Sequence, residues 1–402
     1  MPGEREPAAI VSTPSTRGRP ERSVLGEPRQ RETLTQVQVL RAIAATSVAV
    51  RHAQHDAATL ELQTGHTFQA WNPIPWSAGV DVFFVISGLI MVHASQQLFA
   101  KQGGARLFLS RRIARIVPLY WFATTLYLGV ALLAPTFLNQ DYVNFRFVIE
   151  SYLFIPASRP DGVVQPVYEL GWTLNYEMLF YVLFTAAIVL PVRWALAALL
   201  ATLAGLVVAG RLAAPLPEPF GFWTDPILLE FAFGVTIGIM CVWGLQLPGV
   251  ARACVAGAGL AALMLAAAFP DVSVLLPRPL VYGLPAAFIV GGAALAPRGR
   301  RPESLAARWG AGVGDASYAL YLLHPFVIRS MRVIFWRTGL IAFLGPWAFI
   351  ALALAISFGA ALFTYRWFEK PLTRYVRRLL GAGGGIQRPP RQFPLTAYPE
   401  TD

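Results

Sequence analysis

The sequence predicts an all-α protein that crosses a membrane ten times, with both termini in the cytosol. Of its 402 residues, 55% are hydrophobic and only 14% are charged, whereas soluble domains carry about 25% charge. The mean hydropathy of +0.52 points the same way. One soluble domain could not bury so much apolar surface, which excludes the soluble, fibrous and disulfide-scaffold classes.

The membrane spans are predicted from apolar runs, each close to the roughly 20 residues that cross a bilayer. The first run has no small-residue cleavage site, so it predicts a membrane helix rather than a signal peptide. An even number of spans places both termini on one side. The ten runs lie at residues 37–54, 79–98, 115–135, 172–191, 195–213, 226–244, 250–269, 279–297, 317–336 and 341–366.

The charges between these runs decide which side is cytosolic. The tails and alternate connections on one side hold 24 of the 33 Lys and Arg residues. Basic residues accumulate on the cytosolic side of membrane proteins, so this side is predicted to be the cytosol. The opposite side holds only five, which are Arg146, Arg159, Arg211, Arg278 and Arg337.

Both ends of the chain differ in composition from the middle. Residues 1–35 and 379–402 are rich in Pro, Gly and Arg and poor in aliphatic residues, which predicts disordered cytoplasmic tails around a membrane domain at 36–378. The net charge of +11 is explained by basic tails near anionic lipid, and nucleic-acid binding is not predicted. The only two cysteines, Cys241 and Cys254, lie in apolar runs and predict neither a disulfide framework nor a metal site.

The first span carries two polar residues on one helical face. Arg41 and His52 are eleven residues apart, which is close to three full turns and about 16 Å along a helix. Arg41 is expected near the cytosolic end and His52 in the outer half. A snorkelling arginine and a core histidine would explain the same residues. The pairing adds a second interpretation, a site with a cation at one end and a base at the other, and the spacing alone does not decide between the two.

The third span enters from the cytosol through a pair of arginines. Arg112 and Arg115 are spaced i, i+3 and therefore neighbour each other on the helix. Such arginines serve either as a topology signal or as an anion clamp, since guanidinium forks match phosphate geometry.

Carboxylates inside other spans suggest a polar layer around His52. Glu177 lies about 8 Å below the expected outer boundary of the fourth span. Asp81 and Glu230 are placed at a similar depth. A histidine with a carboxylate partner can act as a general base on a hydroxyl, and His52 is expected to be held by one of these carboxylates, such as Glu177.

The ninth span contains Tyr318 and a second histidine, His324, followed by Pro325. Counted from the start of this span, His324 falls in the inner half, too deep to join His52. Arg329 and Arg332 follow it and are expected either to balance outer carboxylates or to meet an acidic substrate. His55, His66 and His93 show no metal-ligand spacing, and neither a metal nor a function is predicted for them.

The connection 136–171, the longest on the outer side, is moderately acidic and aromatic. Its composition suits a sugar-like partner and a structured loop equally well. The residues that give it this character are Asp141, Tyr142, Glu150, Tyr152, Asp161, Tyr168 and Glu169.

Five motifs together resemble the acyltransferase-3 family of integral-membrane acyltransferases, over nearly all of residues 36–378. They are Arg41-x10-His52, Gly79-x-Asp81-x-Phe83-Phe84-x3-Gly88, Arg112-x2-Arg115, Trp172-x-Leu174-x2-Glu177-x2-Phe180-Tyr181 and Tyr318-x2-Tyr321-x2-His324-Pro325.

The resemblance implies an enzyme that moves an acyl group, usually acetyl, from cytosolic acyl-CoA to a hydroxyl of an extracytoplasmic carbohydrate. It implies a catalytic His52 with Glu177, and donor binding by Arg41, Arg112 and Arg115. Asp81, Trp172, Glu230, Tyr318 and His324 are expected to support the site or the acceptor. Acetyl-CoA is a co-substrate, and no bound cofactor is expected.

Within that family, the chain looks most like bacterial exopolysaccharide O-acetyltransferases of the succinoglycan type. This implies the bacterial inner membrane, a free or lipid-linked glycan acceptor, and polysaccharide-assembly proteins as partners. O-antigen, Nod factor and macrolide remain alternative acceptors. A proton-coupled secondary transporter is the alternative of a different class, because buried His and Glu in interrupted helices also suit transport.

Overall fold

The computed structural model describes residues 28–64, 67–133, 144–297 and 304–382, with the side chains of 28–34 and 306–308 left out. Most of the predicted tails 1–35 and 379–402 lies outside these residues. The first helix begins at Pro28. Proline suits this first position, because the N–H it lacks has no partner at a helix start.

The described residues form an all-helical fold without β-strands, and one isolated bridge joins Ser158 to Val164. Each of the ten predicted runs coincides with a helix. The helices are α1 (Pro28–Gln63), α2 (Gly79–Ser95), α3 (Gly104–Leu133), α4 (Phe145–Tyr152), α5 (Trp172–Ala187), α6 (Val192–Ala213), α7 (Phe220–Trp223), α8 (Leu228–Val242), α9 (Gly249–Ala268), α10 (Val272–Leu275), α11 (Leu284–Ala294), α12 (Leu305–Asp315), α13 (Ser317–Thr338), α14 (Leu340–Thr364) and α15 (Lys370–Leu379).

Six helical segments in the described chain are long and apolar enough to cross a membrane. The four remaining predicted spans correspond to α1, α5, α11 and α13. Helices α1 and α13 carry the candidate Arg and His residues, whereas α5 and α11 are only 16 and 11 residues long. The number ten and the cytosolic side of the termini stay predictions.

Helix α1 lies at the centre of the packing and contacts α2, α12, α13 and α14, while α2 runs along α8. The crossing of α2 and α8 depends on two glycines. A Cβ on Gly88 would lie 2.3 Å from the carbonyl oxygen of Phe231, and one on Gly234 would lie 2.0 Å from that of Val85. Glycine is therefore needed on both helices to let the backbones touch.

The connection before α5 folds back into the protein instead of remaining at its surface. Val167, Tyr168 and Leu170 are buried, and the Tyr168 hydroxyl donates a hydrogen bond to the Leu322 carbonyl in α13 at 2.6 Å. Helix α5 therefore starts inside the helix bundle. Of the residues that suggested a sugar-binding loop, Asp141 and Tyr142 lie outside the described residues.

Candidate active site

Three arginines from two helices meet around one narrow cavity of about 110 Å³, here called the arginine cavity. Arg41 comes from the first half of α1, and Arg112 and Arg115 come from α3. Glu177 of α5 and Tyr318 of α13 are among its other polar lining residues. The three arginines predicted as a group are thus brought together by the fold.

Arg115 is held in place by several contacts. It forms an ion pair with Glu369, which is buried in the π-helical turn Tyr365–Glu369 after α14. A second guanidinium nitrogen lies 3.4 Å from the Asp315 carbonyl, and the guanidinium lies 5.8 Å from the centroid of the Tyr318 ring. These contacts fix its position before any ligand is bound.

The buried guanidinium group of Arg112 has fewer compensating contacts than that of Arg115. Its guanidinium lies 5.7 Å from the centroid of the Phe108 ring, and its buried Nε has no hydrogen-bond partner among the described residues. A buried donor without a partner is costly. The cavity therefore offers hydrogen-bonding capacity to an anion.

Glu177 belongs to the arginine cavity and not to His52, which corrects the expected pairing. Its carboxylate accepts hydrogen bonds from Ser87, at 2.9 Å, and from Tyr181. The depth estimate failed because it placed Trp172 at the membrane boundary. Leu170 and Gly171 are already buried, so Glu177 lies deeper than its distance from the start of α5 suggested.

His52 faces a second and larger cavity of about 750 Å³, here called the histidine cavity. Because α1 is one continuous helix, His52 lies about 16 Å from Arg41 along its axis. The cavity is lined mainly by α1 and α13, together with the end of the connection before α5. Its titratable lining residues are Arg51, His52, His55, Asp56, Tyr127, Tyr168, Glu169, Arg329 and Arg332.

His324 contacts His52, which corrects the expectation that it lies too deep to do so. The two ring centroids are 5.1 Å apart, with the rings edge to face. The estimate took Ser317 as the membrane boundary. In the structure α12 precedes it and packs along α1, and Asp315 accepts a hydrogen bond from Gln38. Helix α13 therefore starts well inside the bundle.

The surroundings of His324 select one tautomer of its neutral ring. Nδ1 lies 2.9 Å from the Leu320 carbonyl, which only accepts hydrogen bonds, so Nδ1 carries the proton. Nε2 then presents a lone pair, is buried, and has no partner among the described residues. Pro325 also lacks the N–H that would bind the Tyr321 carbonyl in α13, and this carbonyl interacts with His324 instead.

The two cavities are separated by a single layer of side chains. Thr173 and Tyr321 line the arginine cavity, and their hydroxyls are 2.9 Å apart. Both can donate to the carbonyl of Leu170, a residue that lines the histidine cavity. The Tyr321 ring centroid is 6.3 Å from that of His324. Tyr321, His324 and His52 thus form a continuous path between the cavities.

Asp81, Glu230 and Trp172 line neither cavity. Arg278 binds both oxygens of Asp81, at 2.9 and 2.8 Å, and lies over the Trp172 ring. Glu230 is fully buried close to Asp81. The expected layer of His52, Asp81, Glu177 and Glu230 is therefore divided among three separate places.

Several residues of these clusters were not singled out in the sequence. Glu369 follows the tenth apolar run, where a carboxylate resembles an ordinary boundary charge. Asp56 pairs with Arg332 at 2.6 Å. The sequence feature that could have identified Asp56 is its position one helical turn after His52. His55 was expected to have no function, yet it lines the histidine cavity. His66 lies outside the described residues, within which no metal-binding group of three His, Cys, Asp or Glu is found.

Comparisons with known proteins agree with these motifs. An acyltransferase-domain family matches residues 34–366. The exopolysaccharide production protein ExoZ of Rhizobium meliloti is 35% identical over 317 residues, covering 78% of this chain and 92% of ExoZ. The acyltransferase MdmB of Streptomyces mycarofaciens is 27% identical over 337 residues, covering 75% of this chain and 82% of MdmB. No solved structure matches the chain.

Proposed function

This chain belongs to the acyltransferase-3 family, and from that premise we propose that it moves an acetyl group from acetyl-CoA to a carbohydrate hydroxyl. The observation that carries the proposal is the pair of cavities on either side of the layer formed by Thr173, Tyr321 and His324. One cavity has the chemistry of an anion site, and the other contains a base.

The donor is assigned to the arginine cavity. Coenzyme A carries several phosphate charges, and Arg41, Arg112 and Arg115 provide the guanidinium groups that bind such oxygens well. A cavity of about 110 Å³ is far smaller than coenzyme A. The adenosine of coenzyme A therefore stays outside it, the diphosphate meets the arginines at the cavity, and the thioester arm enters toward Tyr321.

The acceptor is assigned to the histidine cavity, whose volume of about 750 Å³ has room for a sugar unit. His52 acts as the general base. It takes the hydroxyl proton while the hydroxyl oxygen attacks the thioester carbonyl carbon. The carbon–sulfur bond then breaks, the acetyl group stays on the sugar oxygen as an ester, and the proton passes to the thiolate of coenzyme A.

His324 is assigned a positioning role beside His52. Its Nδ1 proton is committed to Leu320, which leaves Nε2 as the acceptor of a ring that contacts His52. This arrangement favours a His52 ring whose remaining lone pair is available to the acceptor hydroxyl. Transfer needs no separate carboxylate partner for His52 in this scheme.

An exopolysaccharide is the acceptor class best supported by the comparisons. ExoZ is an exopolysaccharide production protein, and this chain matches it over 92% of its length. We therefore place the enzyme in the bacterial inner membrane, acting on a glycan that polysaccharide-assembly proteins supply. The transporter alternative would leave the arginine cavity and the family match unexplained.

The test is acetyl transfer in native membranes. The gene is deleted from the strain and then restored in its wild-type or variant form. Membrane vesicles from these strains are incubated with radiolabelled acetyl-CoA, and label is measured in the glycan and lipid-linked glycan fractions. Proton NMR of the surface polysaccharide measures its O-acetyl content in the same strains. We expect His52→Gln to remove both signals, with a loss of at least about 100-fold.

A matched control is His93→Gln in α2, which lines neither cavity and should retain transfer. For the donor side, Arg112→Gln is compared with Arg111→Gln, its neighbour outside the cavity. Arg112→Gln should raise the KM for acetyl-CoA about tenfold without changing that for the acceptor. Normal O-acetylation in the His52 variant would refute the proposal.

A further inference from the structure

The histidine cavity carries more positive charge than its own carboxylates compensate. Its two carboxylates already have basic partners, since Asp56 pairs with Arg332 at 2.6 Å and Glu169 with Arg159 at 3.7 Å. Among the described residues, no carboxylate lies within ion-pair distance of Arg51 or Arg329. Neither guanidinium group therefore forms an ion pair, although Arg329 also acts electrostatically on Asp56, whose direct partner is Arg332.

The same excess of charge acts on His52. The groups that act on it electrostatically include Arg51, His55 and Arg329, all of which are basic. All three line the cavity with His52. These basic groups therefore lie in the same cavity as the proposed base, and not on a distant surface.

From this we infer that the acceptor is anionic and that Arg329, with Arg51, binds its negative group beside His52. This inference rests on the proposed function and specifies its acceptor. Guanidinium forks bind carboxylates and phosphates in two-point geometry, so either group fits. A carboxylate would come from an acidic sugar in the glycan, and a phosphate would come from the diphosphate of a lipid carrier.

Arg329 is the residue on which the test is built. It is half-buried in α13, five residues after His324, whereas Arg51 is exposed. Arg332 is unsuitable because its loss would leave Asp56 without its partner. Arg337 is the matched control, since it lies on the same helix, is exposed, and lines neither cavity.

The experiment compares four acceptors in the vesicle assay with acetyl-CoA. Two of them are lipid-linked: the glycan after chemical de-O-acetylation, and the same material after carbodiimide and borohydride reduction of its carboxyl groups. The other two are the corresponding glycans released from the lipid by mild acid, one with its carboxyl groups intact and one with them reduced. Loss of the recognised anion should raise the acceptor KM of the wild-type protein about tenfold. A raised KM for the carboxyl-reduced acceptor identifies a sugar carboxylate as the recognised anion. A raised KM for the released glycan identifies the lipid diphosphate.

Arg329→Gln should raise the KM for the intact acceptor by the same factor. For the acceptor that lacks the anion, the KM of Arg329→Gln should equal that of the wild-type protein. Its KM for acetyl-CoA should not change, and Arg337→Gln should behave as wild type. Equal use of all four acceptors, or an unchanged acceptor KM in Arg329→Gln, would overturn the inference while leaving the acetyltransferase standing. Absence of acetyl-CoA-dependent transfer to every acceptor would instead refute the proposed function itself.

Discussion

Among the single residues, His324 most constrains what His52 can do, because it is buried, has a fixed tautomer and touches the His52 ring. We expect His324→Ala to lower kcat for acetyl transfer by up to about 100-fold, since a small misplacement of a reacting group has effects of that size. The KM for acetyl-CoA should not change, because His324 lines no part of the arginine cavity.

The conservative variant His324→Gln separates positioning from packing. Its amide offers a donor and an acceptor at positions similar to the imidazole nitrogens, so partial recovery of kcat is expected. Initial rates over a range of acetyl-CoA concentrations give both constants. Wild-type kcat in the alanine variant would reduce His324 to a packing residue.

Glu369 shows how one buried carboxylate supports the donor side. It is fully buried, while its partner Arg115 is mostly buried. Removing one member of a buried ion pair leaves the other uncompensated and costs roughly 3–5 kcal/mol. Glu369→Ala should therefore destabilise the protein strongly, as measured by its melting temperature in detergent.

The double variant Arg115→Gln, Glu369→Gln tests whether this cost comes from the unpaired charge. It should melt closer to wild type than Glu369→Ala does, while its KM for acetyl-CoA stays raised because the donor arginine is absent. A double variant less stable than either single glutamine variant would contradict the ion-pair explanation.

At the scale of helices, the α2–α8 crossing supports α2, the helix that supplies Phe83, Phe84 and Ser87 to the arginine cavity. Gly88→Ala places a methyl group 2.3 Å from the Phe231 carbonyl oxygen, so the helices must separate. We expect a loss of about 1–3 kcal/mol and a lower melting temperature. Gly129→Ala in α3 is the control, because a Cβ there meets nothing within 4 Å. Equal melting of the two variants would exclude the close crossing.

Helix positions could be predicted from the sequence because apolar runs report them directly. The membership of the arginine cavity was also predictable, since Arg112 and Arg115 share a helical face and Arg41 lies near the same end of its span. The depth at which each polar residue lies in the helix bundle was not predictable. Both α5 and α13 start inside the bundle, behind the buried connection at Tyr168 and behind α12. Counting residues from each helix start therefore misplaced Glu177 and His324.

For the molecule as a whole, the side on which each cavity lies decides whether acetyl-CoA can reach the arginines. The arginine cavity lies toward the N-terminal half of α1 and the histidine cavity toward its C-terminal half. The charge bias of the connections predicts that the N-terminal end of α1 faces the cytosol. In the proposed reaction, cytosolic acetyl-CoA then meets Arg41, Arg112 and Arg115, and an external glycan meets His52.

Single cysteines in the full chain test this orientation. In a background with Cys241→Ala and Cys254→Ala, a membrane-impermeant maleimide added to intact cells should label Ala214→Cys, in the exposed connection between α6 and α7. It should not label Leu379→Cys at the end of α15 until the membrane is permeabilised. The reverse pattern would place the arginines on the outer side, where cytosolic acetyl-CoA has no access, and the assignment of donor and acceptor to the two cavities would fail.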